Sequence, residues 1–514
     1  MTPIPDFARR RAELTPDRLA FEELATGRRA TFAEVDAATD RIAAVLRARG
    51  LVDGARVAVL CHNQARFFEI LFAAARTGAI LVPLNWRQTP AELIPIIEDC
   101  GAGLLIHDAA TAELAAALGP IERLSFADLE AAMAAAAPEA PAGTLPGWPA
   151  LPGGPALPGW PADRVWYLLY TSGTTGRPKA VIQTAGMALA NAVNIAQATQ
   201  LRETDVTLNV LPLFHTAGIN LHALPVFLWG AASLIMPRFD VDATVRLIAD
   251  GRLTLFFGVP ALYQAIALHP DFDRLDVSRL RHWGCGGAPL PEPLIRRFLD
   301  RGARVCNGMG MTETGPTVFL MDPERAPSKI GSVGKPQVLA EVRVVGPDGA
   351  DLPDGSVGEL LFRGPAVTPG YFGNAPATEA AFAPGGWLRS GDVGRRDADG
   401  YYYIVSRIKE MYISGGENVY PAEVEAVLDA HPAVLEAAVV GVPDARWGEV
   451  GHAVIRLRPG ASLEAEALRA HARARLAAYK VPKYVTIVED YPRTAAGKVQ
   501  KHLLARSLNP EAAS

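Results

Sequence analysis

Tyr170-Thr-Ser-Gly-Thr-Thr-Gly-Arg-Pro-Lys-Ala-Val181 interleaves hydroxyl residues with Gly173 and Gly176 and ends on one cation, Lys179, set off by Pro178. Glycines let a backbone turn tightly and bring its N–H groups close to an anion, and hydroxyls add rotatable donors. Thr171, Ser172, Gly173, Thr174, Thr175, Gly176 and Lys179 therefore read as a phosphate clasp. Residues 165–169 are apolar enough for a buried strand and those after Val181 read as a helix, so the clasp leaves a strand end, where open α/β sheets gather ligands. It is not the Walker loop, which needs Lys directly after its second Gly and Ser or Thr after that. An ordinary Gly/Ser/Thr turn is the bland alternative, and the length of this run weighs against it.

The same alternation extends both ways. Thr31-Phe-Ala-Glu34 has the form of a capping box, and Val35, Ala38, Ile42 and Leu46 follow at helical spacing. Residues 56–60 read as a strand, 67–76 as a helix, and 80–84, 206–211, 232–236 and 253–257 as further strands. This predicts an α/β fold with doubly wound sheets. Residues 134–163 are dense in Ala, Pro and Gly, repeat Leu-Pro-Gly-Trp-Pro-Ala, and read as a surface loop. Trp148 and Trp160 could anchor it, but a local duplication without function is preferred. Residues 331–397 change to short strands and turns, a small antiparallel, β-barrel-like subdomain. After Tyr403, helix and strand alternate again, enough for a separate small α+β domain. The expected division is 1–407 and 408–514.

A chain of 514 residues exceeds one hydrophobic core. Hydrophobic residues make up 49% and charged residues 20%, as in a globular enzyme, and the formal charge of -5 gives no footing for a nucleic-acid partner. Cys61, Cys100, Cys285 and Cys306 are far apart without paired spacing, which fits reduced thiols better than zinc or disulfides. Arg9 to Arg11 lack a following apolar segment, so no signal peptide is expected. The most hydrophobic stretch, 223–236, contains Pro225 and Gly230 and is too short for a transmembrane segment. The protein reads as cytoplasmic, with peripheral membrane contact through a surface patch and a homodimer both left open.

Further motifs carry chemistry. His215, in Leu211-Pro-Leu-Phe-His-Thr-Ala-Gly218, is a lone histidine among apolar residues, more often structural than catalytic. Gly286-Gly287-Ala288-Pro289 is a low-bulk turn. Asn307-Gly308-Met309-Gly310-Met311-Thr312-Glu313 sets a hydroxyl beside a carboxylate, and Glu313 supplies the hard oxygen that Mg²⁺ needs against phosphates. Asp392, in Ser390-Gly-Asp, suits paired ribose hydroxyls, with Arg407 as a second contact. Lys498 ends a Pro- and Gly-marked loop, where a solvated surface charge is the default reading.

In order and spacing over roughly residues 7–504, these motifs resemble the acyl-adenylate-forming ligases: acyl-CoA synthetases, aryl-CoA ligases, adenylation domains and luciferases. The resemblance implies a large N-terminal domain and a mobile C-terminal lid, with ATP, Mg²⁺, coenzyme A and a carboxylic acid as reactants. It implies that Lys498, Thr312 and Glu313 are catalytic, with Glu313 also the metal residue. Gly287, Ala288, Pro289, Asn307, Gly308, Met309, Asp392 and Arg407 join the clasp around the nucleotide. His215, Phe257, Gly286, Gly310 and Met311 border the acyl pocket. Lys409 is the hinge, while Gly415, Gly416 and Trp447 meet coenzyme A; a core aromatic is an equal reading for Trp447. Ala180 and Ser406 stand where the family usually has Gly, and Met309 where it commonly has an aromatic. The implied product is an acyl-CoA made through acyl-AMP. A medium- or long-chain fatty acid is the leading substrate and an aryl or phenylpropenoic acid the next. Loading of a carrier protein and a non-catalytic nucleotide-binding role are the further alternatives.

Overall fold

Local signals start the first helices. Thr31 Oγ1 accepts from the Glu34 N–H at 3.2 Å and Glu34 accepts from the Thr31 N–H at 2.8 Å, closing the capping box. The helix Phe32–Ala48 then buries Val35, Ala38, Ile42 and Leu46. This computed structural model describes residues 3–136, 159–171, 178–415, 417–444, 446–494 and 497–508.

Two large sheets carry the fold. The first runs Lys179–Thr184, Val165–Thr171, Ile80–Pro83, Arg56–Leu60, Leu104–His107, Glu122–Ser125, parallel except for its first strand. The second has nine strands, and its parallel centre orders Val305–Met309, His282–Cys285, Leu255–Gly258, Val206–Asn209, Ala232–Ile235 and Leu19–Glu23. Parallel strands need crossovers that cover the sheet faces with helices, which is why these segments are almost wholly apolar.

A third sheet is antiparallel throughout, built from Glu341–Val345, Gly358–Arg363, Phe382–Ala383, Trp387–Arg396 and Tyr402–Arg407. It reaches ten residues beyond the expected limit of 397, because Tyr402–Arg407 pairs back along Trp387–Arg396. The fourth sheet, around Val434–Asp444 and Gly448–Leu457, packs helices Pro421–Asp429 and Ala465–Arg473 over a core of its own that includes Tyr412, Val424, Val439, Ile455 and Leu468.

Two expectations are corrected. The residues after Val181 remain extended as the strand Lys179–Thr184, and the helix begins at Ala185. That strand pairs antiparallel with Val165–Thr171, so the clasp closes a hairpin, and the Ile182 N–H donates to the Gly370 carbonyl on its other edge. The end of the Pro/Gly-rich stretch is also built in. Gly159–Pro161 pairs with Pro3–Pro5, and Trp160 packs at 5.5 Å from Phe7 and 5.3 Å from Trp166. Trp160 is thus an anchor, against the preferred reading; Trp148 lies outside the described residues. All four cysteines are buried free thiols. Among the described residues, no helix is long and apolar enough to cross a membrane.

Candidate active site

The root of the clasp is a matched pair. Thr171 and Lys179 face each other across the hairpin, while Ser172, Gly173, Thr174, Thr175 and Gly176 lie outside the described residues. Lys179 Nζ sits 5.1 Å from the centroid of the Tyr371 ring, and Tyr371 bridges to Val181 across the adjoining edge. The same Tyr371 donates its hydroxyl to Glu313 Oε1 at 2.9 Å. Glu313 is buried in the short helix Thr312–Thr314. Burial raises its pKa, against the pull of Tyr371, Arg407 and Lys179 toward the charged form. Gln183 Nε2 donates to the Thr312 carbonyl at 2.9 Å, so the hairpin also holds the backbone on which Thr312 and Glu313 are carried.

Asp392 and Arg407 occupy paired positions on antiparallel strands, with Arg407 Nε 3.0 Å from Asp392 Oδ1. Asp392 Oδ2 is buried without a partner. Burial pushes this carboxyl up, while Arg407 and Lys498 draw it back. Lys498 itself is largely buried, and its pKa is lowered first by desolvation and then by Arg407, with Glu410 and Asp392 opposing. Its loop is docked on the large lobe, since a Cβ built on Gly497 would stand 3.6 Å from Val259 Cγ2. Lys501, three residues on, donates to Glu410 at 2.9 Å and Glu425 at 2.8 Å, tying the lysine loop to the turn at Lys409 and to the helix Pro421–Asp429.

The residues expected to border an acyl pocket lie toward the carboxyl ends of the second sheet. Gly286 abuts the Gly308 carbonyl and the Phe257 ring, each 3.0 Å from where a Cβ would sit, and a Cβ on Gly310 would fall 1.8 Å from the Pro316 carbonyl. Only glycine fits at 310. Gly287 takes a φ of +82° next to Ala288 and Pro289, turning the chain past Val259. Asn307 sits opposite Cys285, and Met309 and Met311 pack half-buried against the core of the third sheet. The His215 ring lies tilted against that of Phe214 at 4.7 Å, and its Nε2 is buried without a partner among the described residues. Burial, helped by Arg87, lowers this imidazole to about 4, so it is neutral at physiological pH.

Lys409 is exposed in a turn where the Glu410 and Met411 N–H groups both donate to the Arg407 carbonyl. Gly415 donates its N–H to the Trp447 carbonyl at 2.9 Å, and a Cβ at its φ of +61° would meet the Trp447 ring at 2.9 Å. Trp447 is 45% exposed, so its ring does not fill a core, and Arg446 lies over it at 4.8 Å. Gly416 lies outside the described residues.

Comparison with known proteins accounts for this convergence. Residues 8–372 match the AMP-binding enzyme profile and residues 423–498 that of the AMP-binding enzyme C-terminal domain. The chain belongs to the AMP-binding enzyme family. It is 42% identical over 494 residues to a feruloyl-CoA synthase of Amycolatopsis sp, covering 96% of each chain. It is 34% identical to the long-chain-fatty-acid–CoA ligase FadD13 of Mycobacterium tuberculosis, again covering 96% of each. Among solved structures, the o-succinylbenzoate coenzyme A synthetase of Bacillus subtilis in complex with ATP and magnesium ion superposes with a TM-score of 0.86 at 32% identity, covering 98% of this chain and 100% of that one.

The residues of this AMP-binding enzyme fit a magnesium nucleotide. The orphaned Asp392 Oδ2 is an acceptor without a donor, which a ribose hydroxyl supplies. Glu313 is a buried carboxylate that feels the charge of Lys179, the donor type that Mg²⁺ takes alongside phosphate oxygens. Sequence reasoning missed Tyr371, Gln183 and Lys501. Gly370-Tyr-Phe-Gly373 could have flagged a tight turn at Tyr371, but its partnership with Glu313 joins residues 58 apart and leaves no local pattern.

Proposed function

We propose that this AMP-forming CoA ligase takes an aryl or phenylpropenoic acid. The observation that carries the reading is the polar lining, Asn209 and His222 beside Phe257, of a water-sized cavity of about 10 Å³ behind the His215 segment. Polar side chains there suit the polar substituent of a ring, whereas the end of an alkyl chain is matched by an apolar lining. The 42% identity to the feruloyl-CoA synthase supports the same reading. A fatty acid, first on sequence grounds, is the second reading, favoured by the apolar wall of Leu208, Val210, Leu211 and Leu221 and by the identity to FadD13.

The enzyme uses ATP, Mg²⁺ and coenzyme A. A carboxylate oxygen attacks the α-phosphorus of ATP and pyrophosphate leaves; the thiol of coenzyme A then attacks the acyl carbon, loses its proton, and AMP leaves. Bound Mg²⁺ neutralises phosphate charge. Residues 1–407 hold the nucleotide through the clasp, Asp392 and Arg407, and Lys498 meets the charge that grows on the carboxylate and α-phosphate oxygens. Residues 408–514 then pivot at Lys409, withdrawing Lys498 and bringing Gly415, Gly416 and Trp447 to coenzyme A. The test is pyrophosphate release across a panel of aryl and aliphatic acids, with and without coenzyme A. Release with hydroxycinnamic acids and a thioester only with coenzyme A is expected, and release with long-chain acids alone would overturn the aryl reading.

A further inference from the structure

Across the second sheet, Ser233, Thr207, Leu255 and His282 pair in one row, and Asn209 and Phe257 lie two residues further along their strands. Side chains two residues apart share a face. Leu255 packs with Ala196 and Val226, so this face lies under the helices Ala185–Thr199 and Ala223–Trp229. His222 comes down from the helix side. Its Nδ1 is 2.9 Å from Thr207 Oγ1, and its ring centroid is 5.8 Å from that of Phe257 and 6.5 Å from that of His282.

This buried row is polar and incomplete. Asn209 Oδ1, Ser233 Oγ and His282 Nε2 are all closed off from water without a hydrogen-bond partner among the described residues. His282 is 2% exposed. Its Nε2 lies 3.3 Å from the position a Cβ would take on Gly284, beside the Phe257 ring, which would crowd that same Cβ at 2.4 Å. Glycine at 284 thus lets Phe257 lie against the sheet and leaves the cavity in front of Asn209 and His222 clear. An unpaired buried polar group costs about 1–3 kcal/mol, and three together in one place need a reason.

We propose that Asn209, His222 and His282 form a hydrogen-bonding floor to the acyl pocket and recognise a neutral hydroxyl at the far end of an aryl carboxylate's ring. The proposal rests on the aryl reading above and names the substituent that reading leaves open. A hydroxyl offers one donor and two acceptor lone pairs, so it can give its proton to an imidazole nitrogen or to Asn209 Oδ1 and accept from the other ring. An alkyl chain end would leave every one of these atoms orphaned. Burial keeps His222 near 4 and His282 near 3, so both rings are uncharged at neutral pH and offer no cation to a second carboxylate. Gly286 is four residue steps along from His282, about 13 Å at the strand rise of ~3.3 Å. That is a depth for a ring carried on a short spacer rather than directly on the carboxyl carbon.

The test compares kcat/KM for cinnamic acid, 4-hydroxycinnamic acid and 4-fluorocinnamic acid on the full-length enzyme. The hydroxylated acid is expected to lead the unsubstituted one by roughly ten- to a hundred-fold, the worth of one or two buried hydrogen bonds, and fluorine is not expected to replace it. In His282→Leu and Asn209→Leu that ratio is expected to fall toward one. Equal use of the three acids by the unaltered enzyme overturns the floor while leaving the aryl reading intact, and needs no variant to fold. An unchanged ratio in folded variants overturns the residue assignment. Turnover of fatty acids with no aryl acid accepted removes both.

Discussion

Tyr371 donates its hydroxyl to Glu313 across two segments that meet only in the folded chain. The bond favours the ionised carboxylate, which burial otherwise opposes. A raised carboxylate pKa means that Glu313 takes up a proton, and loses its grip on a cation, as pH falls through that value. Tyr371→Phe removes a bond to the charged form, so the acid limb of adenylate formation is expected to move to higher pH and the Mg²⁺ requirement to rise. A hydrogen bond to a charged group is worth about 1.5–3 kcal/mol. Pyrophosphate exchange measured against pH and magnesium concentration checks this; an unmoved limb with normal magnesium dependence removes Tyr371 from the role.

Lys498 is held among Asp392, Arg407 and Glu410 with its loop against Val259. Lys498→Ala is expected to cut acyl-adenylate formation by a factor on the order of 10² to 10³, the usual effect of deleting one contact to a developing charge. Thioester formation from supplied acyl-adenylate should be largely spared. Because its pKa is lowered, the basic limb of the first half-reaction should fall below the usual lysine range. Equal losses in both half-reactions would contradict the assignment.

What could be read in advance follows from how local each signal is. The capping box at Thr31 and Glu34 and the strand Arg56–Leu60 depend on neighbours in sequence and were legible to the residue. Lys179–Thr184 was misread because its extended form is set by partners on both edges, including Gly370 far along the chain. Trp160 looked like part of a duplication, yet its anchoring comes from Phe7 and Trp166. In the site, Glu313 and Asp392 could be picked out within low-bulk motifs, whereas Lys498 read as a surface charge until the family resemblance singled it out. Asn209, His222 and His282 sit singly in apolar strands and a helix edge, where only the sheet register joins them.

Trp160 is 2% exposed between Phe7 and Trp166. Trp160→Ala is expected to cost about 3–5 kcal/mol of stability, the range for deleting a large buried aromatic. Denaturant unfolding checks it, and a loss under 1 kcal/mol would mean that the Pro3–Pro5 and Gly159–Pro161 strands hold the N-terminus without the ring.

Lys409 lies in the turn that joins Tyr402–Arg407 to Tyr412–Ser414. Proline there fixes φ and restricts Ile408 before it. Since Ile408 N–H donates to the Gly391 carbonyl at 2.9 Å in the docked arrangement, Lys409→Pro is expected to preserve acyl-adenylate formation and to suppress the thioester step. Single-turnover measurements of each half-reaction separate the two. Normal thioester formation would place the pivot elsewhere.

Gly415 meets the proposed coenzyme A surface through backbone conformation and contact together. At φ +61° an L side chain is strained, and its Cβ would press on the Trp447 ring at 2.9 Å. Gly415→Ala must therefore either push the indole aside or shift the strand Tyr412–Ser414 that leads into it. Both displace Trp447, whose exposed ring is part of that proposed surface. The expected outcome is a KM for coenzyme A raised by about tenfold, with pyrophosphate exchange unaffected because the clasp, Asp392 and Lys498 lie apart from this turn. Trp447→Phe keeps an aromatic face and should lose less than Trp447→Ala. If Gly415→Ala lowers both half-reactions equally, the turn is a structural element of the small lobe and coenzyme A binds elsewhere.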